Sequence, residues 1–206
     1  MSLRNLIYLS LILLGIWSCN QTPPPPDLFA GAQTIKLAEE SATLKLPSFF
    51  QRSSIYRLTE DIPYLKEDTS FLHSIEMTLE AFVFEDKEMD ILVDTTSELR
   101  CLIIIDGQRF EIDETSGKIF NKQLGEQMRQ LDEENLFLEI HKIDSKMKMN
   151  SEIQMLKYKY EFVNTLNRTS HYRSLFFISN PSRSLLVIEI SAEGHDVEDY
   201  LWTVKG

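Results

Sequence analysis

The segment Leu156-Lys157-Tyr158-Lys159-Tyr160-Glu161-Phe162 alternates large apolar side chains with charged ones. Strict alternation with a period of two residues is typical of a β-strand that is buried on one face. Neighbouring runs at 136–141, 172–179 and 184–191 have strand character as well, and the last two are joined at Asn180-Pro181. The sequence therefore predicts a four-stranded antiparallel meander whose second face is in contact with water.

Helical periodicity precedes this meander. The clearest helix is predicted over 115–132, with Thr115 or Ser116 as its N-cap. Its apolar residues share one face: Phe120, Leu124, Met128 and Leu131. The apolar residues of 70–83 fit the period of a helix but also alternate as a strand would. We expect a helix there, and the strand remains open as the alternative.

Shorter segments complete the layout. Residues 34–37 and 43–46 alternate and predict a β-hairpin, and 89–93 and 99–105 predict two strands around a turn. Residues 195–204 predict a short terminal helix that can cover the apolar face of the sheet with Tyr200, Leu201 and Trp202. The chain is thus predicted to be α+β, an antiparallel sheet with a long helix and a short C-terminal helix packed on it.

Three features of this layout point to a known fold. They are Leu44-Lys45-Leu46-Pro47-Ser48-Phe49-Phe50 near the start, an aliphatic strand that ends in Ile105-Asp106-Gly107, and a long meander before the final helix. Together they resemble the PsbP-like α/β/α sandwich. The resemblance implies a fold that usually serves as an accessory or docking module, and it assigns no functional residue.

Length and charge narrow the function classes. The 206 residues have a formal net charge of −11, which disfavours nucleic acid as a partner because that affinity depends on Lys and Arg neutralising phosphates. No repeat or second linker interrupts 33–206, so we predict a single domain there.

The amino terminus has the pattern of an export signal. Arg4 precedes an uncharged apolar run that ends at Trp17, and this run is too short to span a bilayer. The tetrapeptide Ile16-Trp17-Ser18-Cys19 then resembles the lipobox of bacterial lipoproteins. The resemblance implies that residues 1–18 are a signal peptide, that cleavage follows Ser18, and that Cys19 is lipidated.

The segment 19–32 is predicted to be a tether. Pro23-Pro24-Pro25-Pro26 favours an extended polyproline helix that spaces the domain from the membrane. In lipoproteins, Asp directly after the lipidated Cys tends to retain the protein in the inner membrane. Asn20 stands at that place here, which favours anchoring in the outer membrane of the cell envelope.

The remaining candidate residues indicate structure more than chemistry. Cys101 lies in an apolar strand and is predicted to be a small core residue without a disulfide partner. The best ligand-like cluster is His195, Asp196, Glu198 and Asp199, which we expect to cap a solvated helix end and not to bind a metal. We predict no catalytic residue, no metal site and no cofactor, and no ligand-binding residue is assigned.

The aromatic residues of the meander and the missing catalytic motif decide the functional prediction. Tyr158, Tyr160, Phe162, Phe176 and Phe177 are expected mainly in the core, with a ligand pocket under the terminal helix near Trp202 as the alternative. The chain is predicted to be a lipid-anchored envelope protein, not an enzyme, that acts as an interaction or accessory module for an envelope protein partner. The alternative is a binding protein for a small apolar ligand, and a hydrolase built on His195 and Asp199 ranks third.

Overall fold

The alternating segments form strands, as expected from their period. The computed structural model describes residues 29–37, 42–54, 56–61, 69–83, 89–96, 99–107, 109–194 and 197–205. The chain divides into two units after Ala30, and every element described below belongs to the unit Gly31–Gly206. The predicted signal peptide, Cys19 and the proline run lie outside the described residues.

The predicted hairpin is confirmed. Strands β1 (Ala32–Lys36) and β2 (Thr43–Pro47) pair antiparallel from Ala32 opposite Pro47 to Lys36 opposite Thr43. Because proline has no backbone N–H to donate, Pro47 is suited to the end of a strand. The hairpin forms a small sheet of its own.

A second sheet contains seven strands, all antiparallel to their neighbours. Along the chain these are β3 (Phe50–Ser53), β4 (Met89–Asp94), β5 (Arg100–Gly107), β6 (Leu138–Met149), β7 (Gln154–Asn164), β8 (Ser170–Ser179) and β9 (Ser184–Ser191). Their order across the sheet is β3-β4-β5-β9-β8-β7-β6. The four-stranded meander and the β4–β5 pair are therefore confirmed, and the pairing of β5 with β9 joins them into one sheet.

Helices α1 (Leu58–Asp61), α2 (Thr69–Val83), α3 (Glu114–Glu134) and α4 (Glu198–Leu201) lie in the described part of the chain. The expected helix at 70–83 is confirmed as α2. The N-cap of α3 is Asp113 and not Thr115 or Ser116, because Asp113 accepts a hydrogen bond from the Ser116 N–H at 2.7 Å. None of the described helices combines the length and apolar character needed to cross a bilayer.

One face of the large sheet, here called the helical face, is covered by α2 and α3. Phe71, Ile75 and Leu79 of α2 are buried in one cluster with Ile103 and Ile190 of the sheet. Leu124 of α3 is buried in another cluster with aromatic residues of β7. The two helices therefore share one face but pack over different strands.

The opposite face, here called the hairpin face, is covered by the β1–β2 hairpin and the C-terminal segment. Leu44 and Leu201 contribute to one cluster with Val187 of the sheet, and Trp202 packs against its margin. The expectation of a solvated face is therefore wrong. Lys157 and Lys159 point to this side yet are only 5% and 6% exposed, because their ammonium groups have polar partners in the C-terminal segment.

The packing of α4 predicts a measurable stability effect. Leu201 is fully buried, so Leu201→Ala should lower the free energy of unfolding by about 2–5 kcal/mol in urea denaturation. Asp199→Ala, in the same helix but exposed, should change it by less than about 0.5 kcal/mol. Equal stability of the two variants would contradict the covering role of the C-terminal segment.

Candidate functional site

The helical face is not fully covered, and a groove remains between α2 and α3. It encloses about 810 Å³, and β7, β8 and β9 contribute to its lining together with the turn that follows α3. Its apolar lining residues are Met77, Leu124, Met128, Leu131, Leu136, Phe137, Leu138, Phe162, Leu175 and Ile188. Its polar lining residues are His73, Ser74, Thr78, Gln127, Glu134, Asn135, Asn164, His171 and Arg173. Most of the lining surface is apolar, and the volume is typical of a site for a small molecule.

A single permanent cation lies among the described residues that line the groove. Arg173 points to the helical face from β8, and its Nη2 donates to Ser74 Oγ at 2.9 Å. The guanidinium carbon lies 4.5 Å from the ring centroid of Phe162, which itself stacks on His171 with centroids 5.2 Å apart. The aromatic ring and the serine hydroxyl hold the guanidinium in place.

Among the described residues, no carboxylate forms an ion pair with Arg173. Its buried Nε has no hydrogen-bond partner in the same part of the chain. Burial lowers the pKa of Arg173 to about 10, which still leaves the group protonated at neutral pH. The side chain is partly buried, and a partly buried cation that lacks a counter-ion among the described residues is a candidate functional group.

The entrance of the groove is apolar as well. Leu136 is 87% exposed, and Phe137 and Met77, which also line the groove, are about half exposed. Clustered large apolar side chains at the surface often mark a place where a ligand or partner binds. The groove thus combines an apolar entrance with a cationic group in its lining.

A smaller cavity of about 250 Å³ lies along the other side of α3, beside Gly117, Tyr158 and Lys146. The Tyr158 hydroxyl donates to the Gly117 carbonyl oxygen at 3.1 Å, and Lys146 pairs with Asp144, so two of the polar groups there are already engaged. This cavity offers a ligand less than the groove does.

The aromatic residues of the meander are divided between the two faces. Phe162 lines the groove, Tyr158 and Phe177 pack beside α3, and Phe176 is buried on the hairpin face. The alternative of one shared pocket under the terminal helix near Trp202 is therefore wrong. Consecutive residues of a strand point to opposite faces of the sheet, so Phe176 and Phe177 cannot line one pocket on a single face.

Two of the four residues of the predicted ligand-like cluster, Glu198 and Asp199, lie in the described part of the chain. His195 and Asp196 lie outside the described residues, and Asp199 is exposed. Glu198 is 6% exposed and accepts from Lys157 Nζ at 2.8 Å and from Lys148 Nζ, so the solvated-cap interpretation is wrong for Glu198. Within the described ranges, no set of three or more His, Cys, Asp or Glu side chains is grouped as metal ligands.

The ion pairs of Glu198 explain its protonation. Burial alone would raise the pKa of its carboxyl, but hydrogen bonds from Lys148 and Lys157 and the nearby charge of Lys146 hold the pKa below its ordinary value of 4.5. The carboxylate thus ties α4 to β6 and β7.

The cysteine in the sheet is a core residue, as predicted. Cys101 is fully buried on the helical face, and burial raises the pKa of its thiol to about 12. A thiol with such a pKa is not a nucleophile at neutral pH. Cys19 and Ser18 lie outside the described residues.

Sequence reasoning missed Arg173 and the helix residues opposite it. The only signal was Arg173 itself, a charge in a strand whose neighbours along the same face, Leu175 and Phe177, are apolar. Its pairing with Ser74 across 99 residues has no sequence signature.

Comparisons with known proteins found one similar solved structure and assign no residue of this chain. The solution structure of cyanobacterial PsbP (CyanoP) from Synechocystis sp. PCC 6803 is similar, with a TM-score of 0.46 and 8% sequence identity, over 90% of this chain and 98% of that one. No protein-family model and no curated protein sequence matches the chain. A mixed α/β fold with a mainly antiparallel sheet is shown, and at this similarity the neighbour carries no argument about function.

The Glu198 ion pairs predict a pH-dependent stability. Glu198→Gln should lower the free energy of unfolding at pH 7 by about 1–3 kcal/mol, because buried Lys157 loses a charged partner. The lowered pKa means that the stabilisation is complete above pH 4.5 and is lost as the pH falls further. In urea denaturation, the difference in the free energy of unfolding between the variant and the parent should therefore become smaller as the pH is lowered from 7 to 3. Asp199→Asn serves as the control, and a pH-independent difference would argue against this assignment.

Proposed function

We propose that the chain is a lipid-anchored protein of the cell envelope whose domain is a non-catalytic binding module for a small, largely apolar ligand. The groove of about 810 Å³ between α2 and α3 is the observation that carries this proposal. Small-molecule sites are typically concave, mostly apolar and supplied with few polar groups. The groove matches this description in being concave and in having a mostly apolar lining surface.

The anchor is supported by the lipobox-like sequence at 16–19 and by the proline run that follows it. Two or more acyl chains on Cys19 would hold the protein on a membrane far more firmly than one. The outer membrane is the proposed location, since Asn20 follows the cysteine. We likewise propose that the fold is a PsbP-like sandwich. This assignment is supported by the segments 44–50 and 105–107 and by the meander that precedes the final helix.

A second candidate function is the docking of an envelope protein. The exposed side chains of Leu136 and Phe137 favour it, because large apolar residues at a surface commonly mark an interface. Apolar-probe binding separates the two, since a docking surface does not need an open groove. A hydrolase on His195 and Asp199 gains no support from the described residues.

Lipidation makes the first functional prediction. Cys19→Ser should abolish incorporation of labelled palmitate and block cleavage after Ser18 by the lipoprotein pathway, so that the longer precursor accumulates. Cys101→Ala, which removes the buried core thiol, should leave labelling and cleavage unchanged. Palmitate labelling that persists in Cys19→Ser would refute the proposed anchor.

The second functional prediction concerns ligand binding in the groove. A neutral environment-sensitive dye such as Nile red should bind the protein with enhanced fluorescence. Met77→Trp, which places a bulky ring at the groove entrance, should weaken that binding at least about tenfold. Met149→Trp, the same substitution at a residue that does not line the groove and is 58% exposed, should leave it unchanged. Equal binding by both variants would show that the groove is not the site.

A further inference from the structure

On the basis of the proposed function, we infer that the ligand of the groove is an aliphatic monocarboxylate, with its carboxylate on the Arg173 guanidinium and its chain between α2 and α3. Three features of the groove support this class of ligand: the hydrogen bonding of Arg173, the charges that line the groove and the side chains along its length.

The guanidinium of Arg173 has N–H donors that can bind a ligand. Nη2 donates to Ser74, whereas Nε has no partner and none of the described residues accepts from Nη1. Carboxylate oxygens can accept from the guanidinium without displacing Ser74. The Phe162 ring, whose centroid lies 4.5 Å from the guanidinium carbon, and Ser74 hold the group in position before an anion binds.

The charge balance favours one negative charge. Arg173 is the one permanent cation among the described lining residues, and Glu134 at the groove margin is an acid. A doubly charged head group such as a phosphate monoester would bring a second negative charge without a second cation. The chain as a whole has a formal net charge of −11, so long-range attraction does not assist a polyanion.

The rest of the groove suits a hydrocarbon chain. Leu124, Met128 and Leu131 line it from α3, and Leu175 and Ile188 line it from the sheet. Their aliphatic side chains offer no group that orients a polar ligand. The apolar entrance at Leu136 and Phe137 gives such a chain a path from an apolar surface to Arg173.

The test compares decanoate with 1-decanol, which share a chain and differ in the head group. Isothermal titration calorimetry at pH 7.5 would use the mature chain, residues 19–206, produced without the signal peptide and carrying Cys19→Ser, so that neither an acyl chain nor detergent competes. We expect decanoate to bind at least about tenfold more tightly than 1-decanol. Octanoate should bind more weakly than decanoate by about two- to fourfold per methylene removed.

Arg173→Met carries the residue-level test. The variant should lose about 10- to 100-fold in affinity for decanoate and keep its affinity for 1-decanol within about twofold. Arg129→Met is the matched control, because Arg129 lies on α3 with its side chain half exposed and pairs with Glu126 and Glu133. It should leave both affinities unchanged.

The outcomes separate this inference from the proposed function. If decanoate and 1-decanol bind equally to the parent, or if Arg173→Met keeps the preference, the carboxylate inference is overturned while an apolar-ligand module remains. If neither ligand binds and Nile red does not bind, the proposed function fails and this inference with it. The parent comparison needs no variant, so it holds even if Arg173→Met does not fold.

Discussion

The architecture depends on the need to cover both faces of one seven-stranded antiparallel sheet. Each strand between β4 and β8 presents apolar side chains to both sides, as Leu102 and Ile103 on adjacent positions of β5 illustrate. Apolar surface left in water costs free energy in proportion to its area. Two helices cover one side, and the hairpin with the C-terminal segment covers the other.

The two faces are closed by different means. On the hairpin face, apolar packing is completed by a buried ion pair and a buried hydrogen bond. Glu198 pairs with Lys157, and Glu189 accepts from the Val197 N–H at 3.1 Å. These contacts hold the C-terminal segment against the sheet. On the helical face, α2 and α3 pack over different strands, and apolar side chains together with Arg173 line an open groove between them.

The sequence predicts the individual strands and helices better than it predicts how they pack together. Periodicity identifies the meander, the hairpin, the β4–β5 pair and α3, because local hydrophobic spacing reflects which side of an element is buried. It misassigns the face of Lys157 and Lys159, since a lysine buried by an ion pair has the same sequence signature as one in water. It also leaves β3 and the junction of β5 with β9 unpredicted, because strand pairing over long separations has no local signal.

The candidate site is a product of that assembly. Arg173 and Ser74 come from elements that are distant in sequence, and their contact exists only when α2 packs on the same face as β8. The most direct measurement is the set of intermolecular nuclear Overhauser effects from unlabelled decanoate to isotope-labelled protein. The account predicts cross-peaks from the chain to Leu124, Met128 and Ile188 in the groove. Cross-peaks to Leu44 and Val187 of the hairpin face in their place would contradict it.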